Sequence, residues 1–130
     1  MADDPLPQYV RCYWGKARPA DGAPAFHPLA YHSLDVAAAL AALLDLRPGW
    51  LAAVATASNL SVVEVRKRLI LAAAFHDIGK FGENFQAKVP DLHARLLPGA
   101  MVADDGRSHG EIGGGFWRRQ KDPRFAAMAT

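Results

Sequence analysis

A histidine and an aspartate stand next to each other at residues 76 and 77, directly after the apolar, helix-forming residues 69–75. An imidazole beside a carboxylate is unfavourable to bury unless something pairs with both groups, and a divalent cation does so. Lys80 follows one turn later, within reach of the carboxylate or of a substrate phosphate. We therefore interpret His76 and Asp77 as metal ligands, and Lys80 as a residue that either neutralises the carboxylate or contacts a substrate phosphate. The alternative for the pair is a core histidine followed by an ordinary aspartate.

The four other histidines of the chain are weaker candidates when each is taken alone. His32 shares a stripe of apolar residues on a predicted helix, where a single histidine is typically a hydrogen-bonded core or boundary residue. Asp35 either orients a ligand or is a first-turn acid that the helix dipole favours, and both interpretations stay open. His109, at a predicted helix start, is on its own typical of a loop. We interpret His27 as structural and assign no role to His93.

The composition indicates an ordinary globular protein with one compact domain. The 130 residues are 51% hydrophobic and 22% charged, and the net charge of +2 does not by itself indicate a nucleic-acid-binding protein. The single cysteine, Cys12, excludes an intrachain disulfide and a cysteine-rich zinc site. The N-terminus lacks the features of a signal peptide, and the apolar stretches are too short to cross a bilayer. We expect a cytoplasmic protein with no membrane contact.

An all-α fold is predicted to position these side chains. Alanine is abundant and β-branched residues are sparse, which favours helices. Residues 1–28 contain five prolines and are expected to form a loop-rich segment that packs on a helical domain, residues 29–130. Ser61 and Glu64 form a capping box, and Gly79 ends the helix whose last turn holds Asp77. The predicted helices cover residues 30–46, 50–57, 62–78, 90–97 and 108–121.

Three blocks of sequence carry a resemblance to a known family. His32, the pair at 76–77 and the Gly-Lys that follows look like the HD metal-dependent phosphohydrolase superfamily. The three blocks are residues 14–16, residues 26–37, and residues 76–81 with 85–88, and they make the resemblance more specific. In this order and spacing they resemble the HD nuclease domain of the CRISPR type I helicase-nuclease. The resemblance extends over residues 9–115 and implies an HD-domain-like helical bundle.

The resemblance also implies a site and a substrate. His32 would be the ligand from the first helix, and His76 and Asp77 the central ligands, with Asp77 bridging two metals. His109 would bind the second metal, and Lys80 would lie beside the scissile phosphate. The family cleaves single-stranded DNA that an attached helicase supplies, and the Cascade surveillance complex recruits it. Histidine and carboxylate ligands suit one or two ions of iron, manganese, nickel or zinc better than magnesium.

The chain departs from the family pattern in its later ligands. Family members continue with two adjacent histidines and a later aspartate, whereas this sequence reaches Thr130 without a His-His pair. Asp104, Asp105 and Asp122 stand in a different sequence context from that aspartate. We therefore expect a bundle shortened at its C-terminal side that carries part of the ligand set.

Three functional hypotheses follow. The first is a metal-dependent nuclease acting on single-stranded DNA. The second is a non-catalytic partial HD domain that serves as a binding module for a helicase or surveillance-complex partner. The third is an HD phosphohydrolase acting on nucleotides.

Overall fold

The computed structural model describes residues 7–18, 24–101 and 106–119, so Asp104, Asp105 and Asp122 lie outside the described residues. The chain is mostly helical, which confirms the predicted fold class. Two short strands, β1 (Trp14–Arg18) and β2 (Ala25–Pro28), are the exception. The helices are α1 (Gln8–Arg11), α2 (Leu29–Leu46), α3 (Pro48–Ala57), α4 (Val62–Ala74), α5 (Glu83–Gln86), α6 (Pro90–Leu96) and α7 (His109–Arg119), and a 3₁₀ turn covers Ile78–Phe81.

The segment before α2 contains two paired strands, whereas the sequence predicted a loop-rich segment. Strands β1 and β2 pair antiparallel, with Lys16 opposite His27 and Arg18 opposite Ala25. An irregularity between Trp14 and Lys16 shifts the register. The two strands use the stretches between prolines, since Pro24 precedes β2 and Pro28 ends it.

The chain forms two compact units, residues Ser33–His76 and residues Met1–His32 together with Asp77–Thr130. The core of the first unit is built from α2, α3 and α4 by Leu44, Leu51, Ala55 and Val65. Pro48 occupies the first turn of α3, where its missing N–H removes no helical hydrogen bond.

The second unit has its own small core and a close contact between helix and turn. Trp14, Phe85 and Leu92 form the core, and the Trp14 and Phe85 rings lie 4.6 Å apart. Helix α7 packs on the 3₁₀ turn, where Gly79 and Gly113 approach each other. A glycine at both positions lets the two backbones come this near.

Helix α4 ends four residues earlier than predicted, so the expectation that Asp77 lies in the last turn of a helix was wrong. The helix stops at Ala74, and His76 and Asp77 lie in the turn that follows. The reason is a change of hydrogen-bond spacing. The Phe75 N–H still donates to the residue four positions back, whereas the His76 and Lys80 N–H groups donate three positions back. That spacing tightens the chain into a 3₁₀ conformation.

The Ser61 half of the predicted capping box of α4 is present, whereas the Glu64 carboxylate accepts from the Arg68 Nε at 2.9 Å. We expect the Ser61 cap to contribute measurably to stability. The Ser61 hydroxyl accepts a hydrogen bond from the Glu64 N–H at 3.1 Å. Replacing Ser61 with alanine leaves that N–H to water and should lower the free energy of unfolding by about 1 kcal/mol. Urea titration followed by circular dichroism measures the change. Ser58→Ala is the matched control, because the Ser58 hydroxyl donates to the Val54 carbonyl at the other end of a helix.

Within the described residues, no single helix is long and apolar enough to cross a membrane. Helices α2 and α3 pass such a test only when joined, by length and composition, and they are bent by 96° at their junction.

Candidate metal centre

The centre of the site is a buried contact between His32 and Asp77. His32 lies in the first turn of α2, and Asp77 lies just before the 3₁₀ turn. The Nε2 atom of His32 is 3.2 Å from Oδ2 of Asp77, and each residue is only 8% exposed. Gly15 of β1 permits this position of His32, because a side-chain carbon there would lie 3.2 Å from the His32 Cβ. The strand, the helix and the turn therefore meet at this pair.

Lys80 supplies a positive charge to the same carboxylate. Its Nζ lies 2.7 Å from Oδ2 of Asp77 and 3.5 Å from the Gly15 carbonyl oxygen. The predicted spacing of Asp77 and Lys80 thus produces a direct ion pair. An unpaired carboxylate at this depth would be costly, and the ammonium offsets that cost.

His76 is placed differently from the expectation that it continues a buried stripe, because it is exposed. Its Nδ1 lies 2.7 Å from the Ala73 carbonyl oxygen. A carbonyl can only accept, so Nδ1 carries the proton and the lone pair is on Nε2. A backbone partner that fixes the tautomer in this way is typical of metal-binding histidines.

The three side chains fit a transition-metal ion. Each of the three side chains, His32, His76 and Asp77, offers one ligand atom, and these three atoms lie within 4.8 Å of one another. Bonds of about 2.0–2.2 Å to one ion place neighbouring ligand atoms between about 2.8 and 3.6 Å apart, from octahedral to tetrahedral geometry. The 3.2 Å contact between His32 and Asp77 already has this spacing. Two imidazoles and one carboxylate leave further coordination positions for water or substrate.

The electrostatic environment favours the metal-binding form of His32. Burial lowers the pKa of its imidazole below the ordinary value of 6.5, and the charges of Lys16 and Lys80 lower it further. The Asp77 carboxylate acts in the opposite direction without reversing the shift. The lowered pKa favours the neutral imidazole, which is the form in which histidine binds a metal.

His109 is not part of this three-residue group among the described residues. It is the first residue of α7, and its ring lies 5.3 Å from the Phe85 ring in an edge-on arrangement. Its role as a ligand of a second metal stays a prediction. Asp35 is exposed and lies in the second turn of α2, and the first turn of that helix holds no acidic residue, so the expectation of a first-turn acid was wrong.

Sequence reasoning missed Gln86, a fully buried residue of α5. Its side chain bonds the backbone of Trp14, 72 positions away, and the carbonyl of Lys80. Glutamine belongs to no ligand motif, and only its place inside the 85–88 block could have singled it out. Trp14 is 6% exposed and belongs to the core, so its ring is not available to stack on bases.

Comparison with known proteins gives a single family. The family model described as "Cas3, HD domain" matches residues 14–129, which include every predicted ligand and Lys80. The match confirms the resemblance drawn from the three sequence blocks. No curated protein and no solved structure matches the chain significantly.

Proposed function

Because this chain belongs to the Cas3 HD domain family, we propose that it is a metal-dependent nuclease domain that cleaves single-stranded DNA in CRISPR type I interference. The observation that carries the proposal is the ligand group of His32, His76 and Asp77, with an ammonium paired to the same carboxylate. The alternative, a core histidine followed by an ordinary aspartate, does not account for the presence of His32 and Lys80 beside Asp77.

Each residue of the site has a role in phosphodiester hydrolysis. His32, His76 and Asp77 would bind the metal. A bound divalent ion supplies Lewis acidity and lowers the pKa of a coordinated water. The Lys80 ammonium forms an ion pair with Asp77. From this position it can bind a phosphate oxygen and offset the negative charge that develops during hydrolysis. Asp77 thereby orients Lys80 as well as serving as a ligand.

The substrate and partners follow from the same family. A chain that reads no base sequence needs contacts to phosphates, and Lys16 and Lys80 both act on the electrostatics of the site. We propose that a helicase supplies the strand, that a Cascade-type surveillance complex recruits the domain, and that the protein works in the cytoplasm.

Metal analysis combined with a cleavage assay tests this function. Purified protein is stripped with a chelator and reloaded separately with manganese, iron, nickel or zinc, and the bound metal is counted. We expect at least one of these ions to be retained and to support cleavage of a labelled single-stranded oligonucleotide. Duplex DNA should be cut at least about tenfold more slowly, since its bases and backbone cannot be presented in the same way.

The other outcomes point to the two other hypotheses. Hydrolysis of nucleotides without cleavage of any oligonucleotide would make the chain a nucleotide phosphohydrolase. Metal retention without any turnover, together with a stable complex with a helicase or surveillance-complex partner, would make it a binding module. The chelated protein is the baseline for every measurement.

A further inference from the structure

Every hydrogen-bonding group of the Gln86 side-chain amide has a backbone partner, either in Trp14 or in Lys80. Its Oε1 accepts from the Trp14 N–H at 3.0 Å. Its Nε2 donates to the Trp14 carbonyl at 3.0 Å and to the Lys80 carbonyl at 2.7 Å, which accounts for both amide hydrogens. The main-chain carbonyl of Gln86 also accepts from Nε1 of Trp14 at 3.1 Å. One residue therefore joins β1 to the 3₁₀ turn.

These bonds bear on both the backbone and the ammonium group of Lys80. At the backbone end, the Lys80 carbonyl is held directly by the amide. At the other end, the ammonium lies 3.5 Å from the carbonyl of Gly15, the residue next to Trp14 in β1. A shift of β1 relative to the turn would move this acceptor and change where the ammonium can reach.

Resting on the proposed function, we propose that Gln86 is a positioning residue that sets the Lys80 ammonium for its contact with the substrate phosphate. An apolar side chain of the same size would fill the same space but leave the Trp14 N–H and the Trp14 and Lys80 carbonyls without this partner. The amide is directed at the backbone of Lys80 and at the strand that carries its second acceptor. The geometry thus connects a residue outside the ligand group to the charge at its centre.

Gln86→Met tests the proposal, because methionine has nearly the same length and volume and cannot make the three bonds. We expect single-turnover cleavage by the metal-loaded protein to slow by about tenfold to a hundredfold, as expected when a reacting group is misplaced by a fraction of an ångström to an ångström. In a Lys80→Met background the same substitution should cost less than about twofold, because the residue on which it acts has been removed.

A second readout does not depend on activity. In metal-free protein, the side-chain Cε and Nζ resonances of Lys80 report its ion pair with Asp77. We expect Gln86→Met to move these resonances toward those of exposed lysines. Leu51→Ala is the matched control, since Leu51 is buried in the other core, and that core does not include Phe85, whose ring lies 5.2 Å from the Lys80 Nζ. It should lower the melting temperature and leave the Lys80 signals in place.

The outcomes separate this proposal from the proposed function. Equal effects of Gln86→Met with and without Lys80, together with unchanged Lys80 resonances, would reduce Gln86 to a structural residue. A wild-type protein that cleaves nothing would overturn the nuclease assignment, and the resonances of Lys80 would still decide whether Gln86 positions it. If Gln86→Met fails to fold, Gln86→Asn takes its place, because it keeps an amide but is one methylene too short to span both partners.

Discussion

Replacing Asp77 with asparagine is expected to remove both metal retention and DNA cleavage. The substitution keeps the size of the side chain and deletes the negative charge that binds the ion and pairs with Lys80. Metal affinity should fall by more than about a hundredfold, since even residues behind the ligands typically contribute about 10- to 100-fold. Cleavage should fall by about a thousandfold or more, because the loss of the ion removes its activated water. Metal analysis after gel filtration and a single-stranded DNA assay measure the two effects.

The matched control for this prediction is Asp45→Asn. Asp45 also carries an ion pair, to Arg66 at 3.0 Å, but its side chain is 65% exposed. An exposed pair contributes little, so metal content and cleavage should stay at the wild-type level. Stoichiometric metal in Asp77→Asn protein of native circular dichroism would show that the carboxylate is not a ligand and would end the metal-centre assignment.

Replacing Gly79 with alanine is expected to have the largest effect on stability. A side-chain carbon at this position would collide with the carbonyl group of His109 and lie 2.8 Å from the Gly113 nitrogen. Backbone atoms cannot move aside as a flexible side chain can, so α7 must shift or separate from the 3₁₀ turn. We expect a loss of about 3 kcal/mol or more, at the upper end of what overpacking costs. That is a large share of the stability of a small domain.

Gly49→Ala is the control, because it makes the same chemical change without the contact. Gly49 lies in α3, and a side-chain carbon there would meet no heavy atom within 4 Å. Alanine should therefore stabilise that helix by about 0.5–1 kcal/mol. The melting temperatures of the two variants should move in opposite directions. A similar melting temperature for both would show that α7 is not seated against the turn as described.

Much of the helical framework could be predicted because local chemistry determines it. Ser61 caps α4 where the Ser-x-x-Glu pattern placed the cap, and Pro48 begins α3 within two residues of the predicted start. The end of α4 was predicted wrongly, since the switch from four-residue to three-residue hydrogen bonds at His76 leaves no mark in the residue types. The strands around the prolines were missed for a similar reason, because their pairing joins residues that are separated along the sequence.

The candidate site could be predicted in part. The ion pair of Asp77 and Lys80 follows from their spacing, whereas the place of His32 beside Asp77 was implied only by the family resemblance. The role of Gln86 was not predicted, because its partner Trp14 is 72 positions away and local sequence spacing says nothing about contacts at that separation. The exposure of His76 was also missed, since it depends on where the helix ends.

If His76 binds the metal as proposed, its hydrogen bond to the Ala73 carbonyl would couple coordination to local folding. That carbonyl belongs to the last turn of α4, so fraying of this turn would break the hydrogen bond from Nδ1 and free the ring to rotate. Metal binding and formation of the helix end would then be thermodynamically linked, so that each stabilises the other. The end of α4 should be the place where amide exchange responds first when the cation is withdrawn.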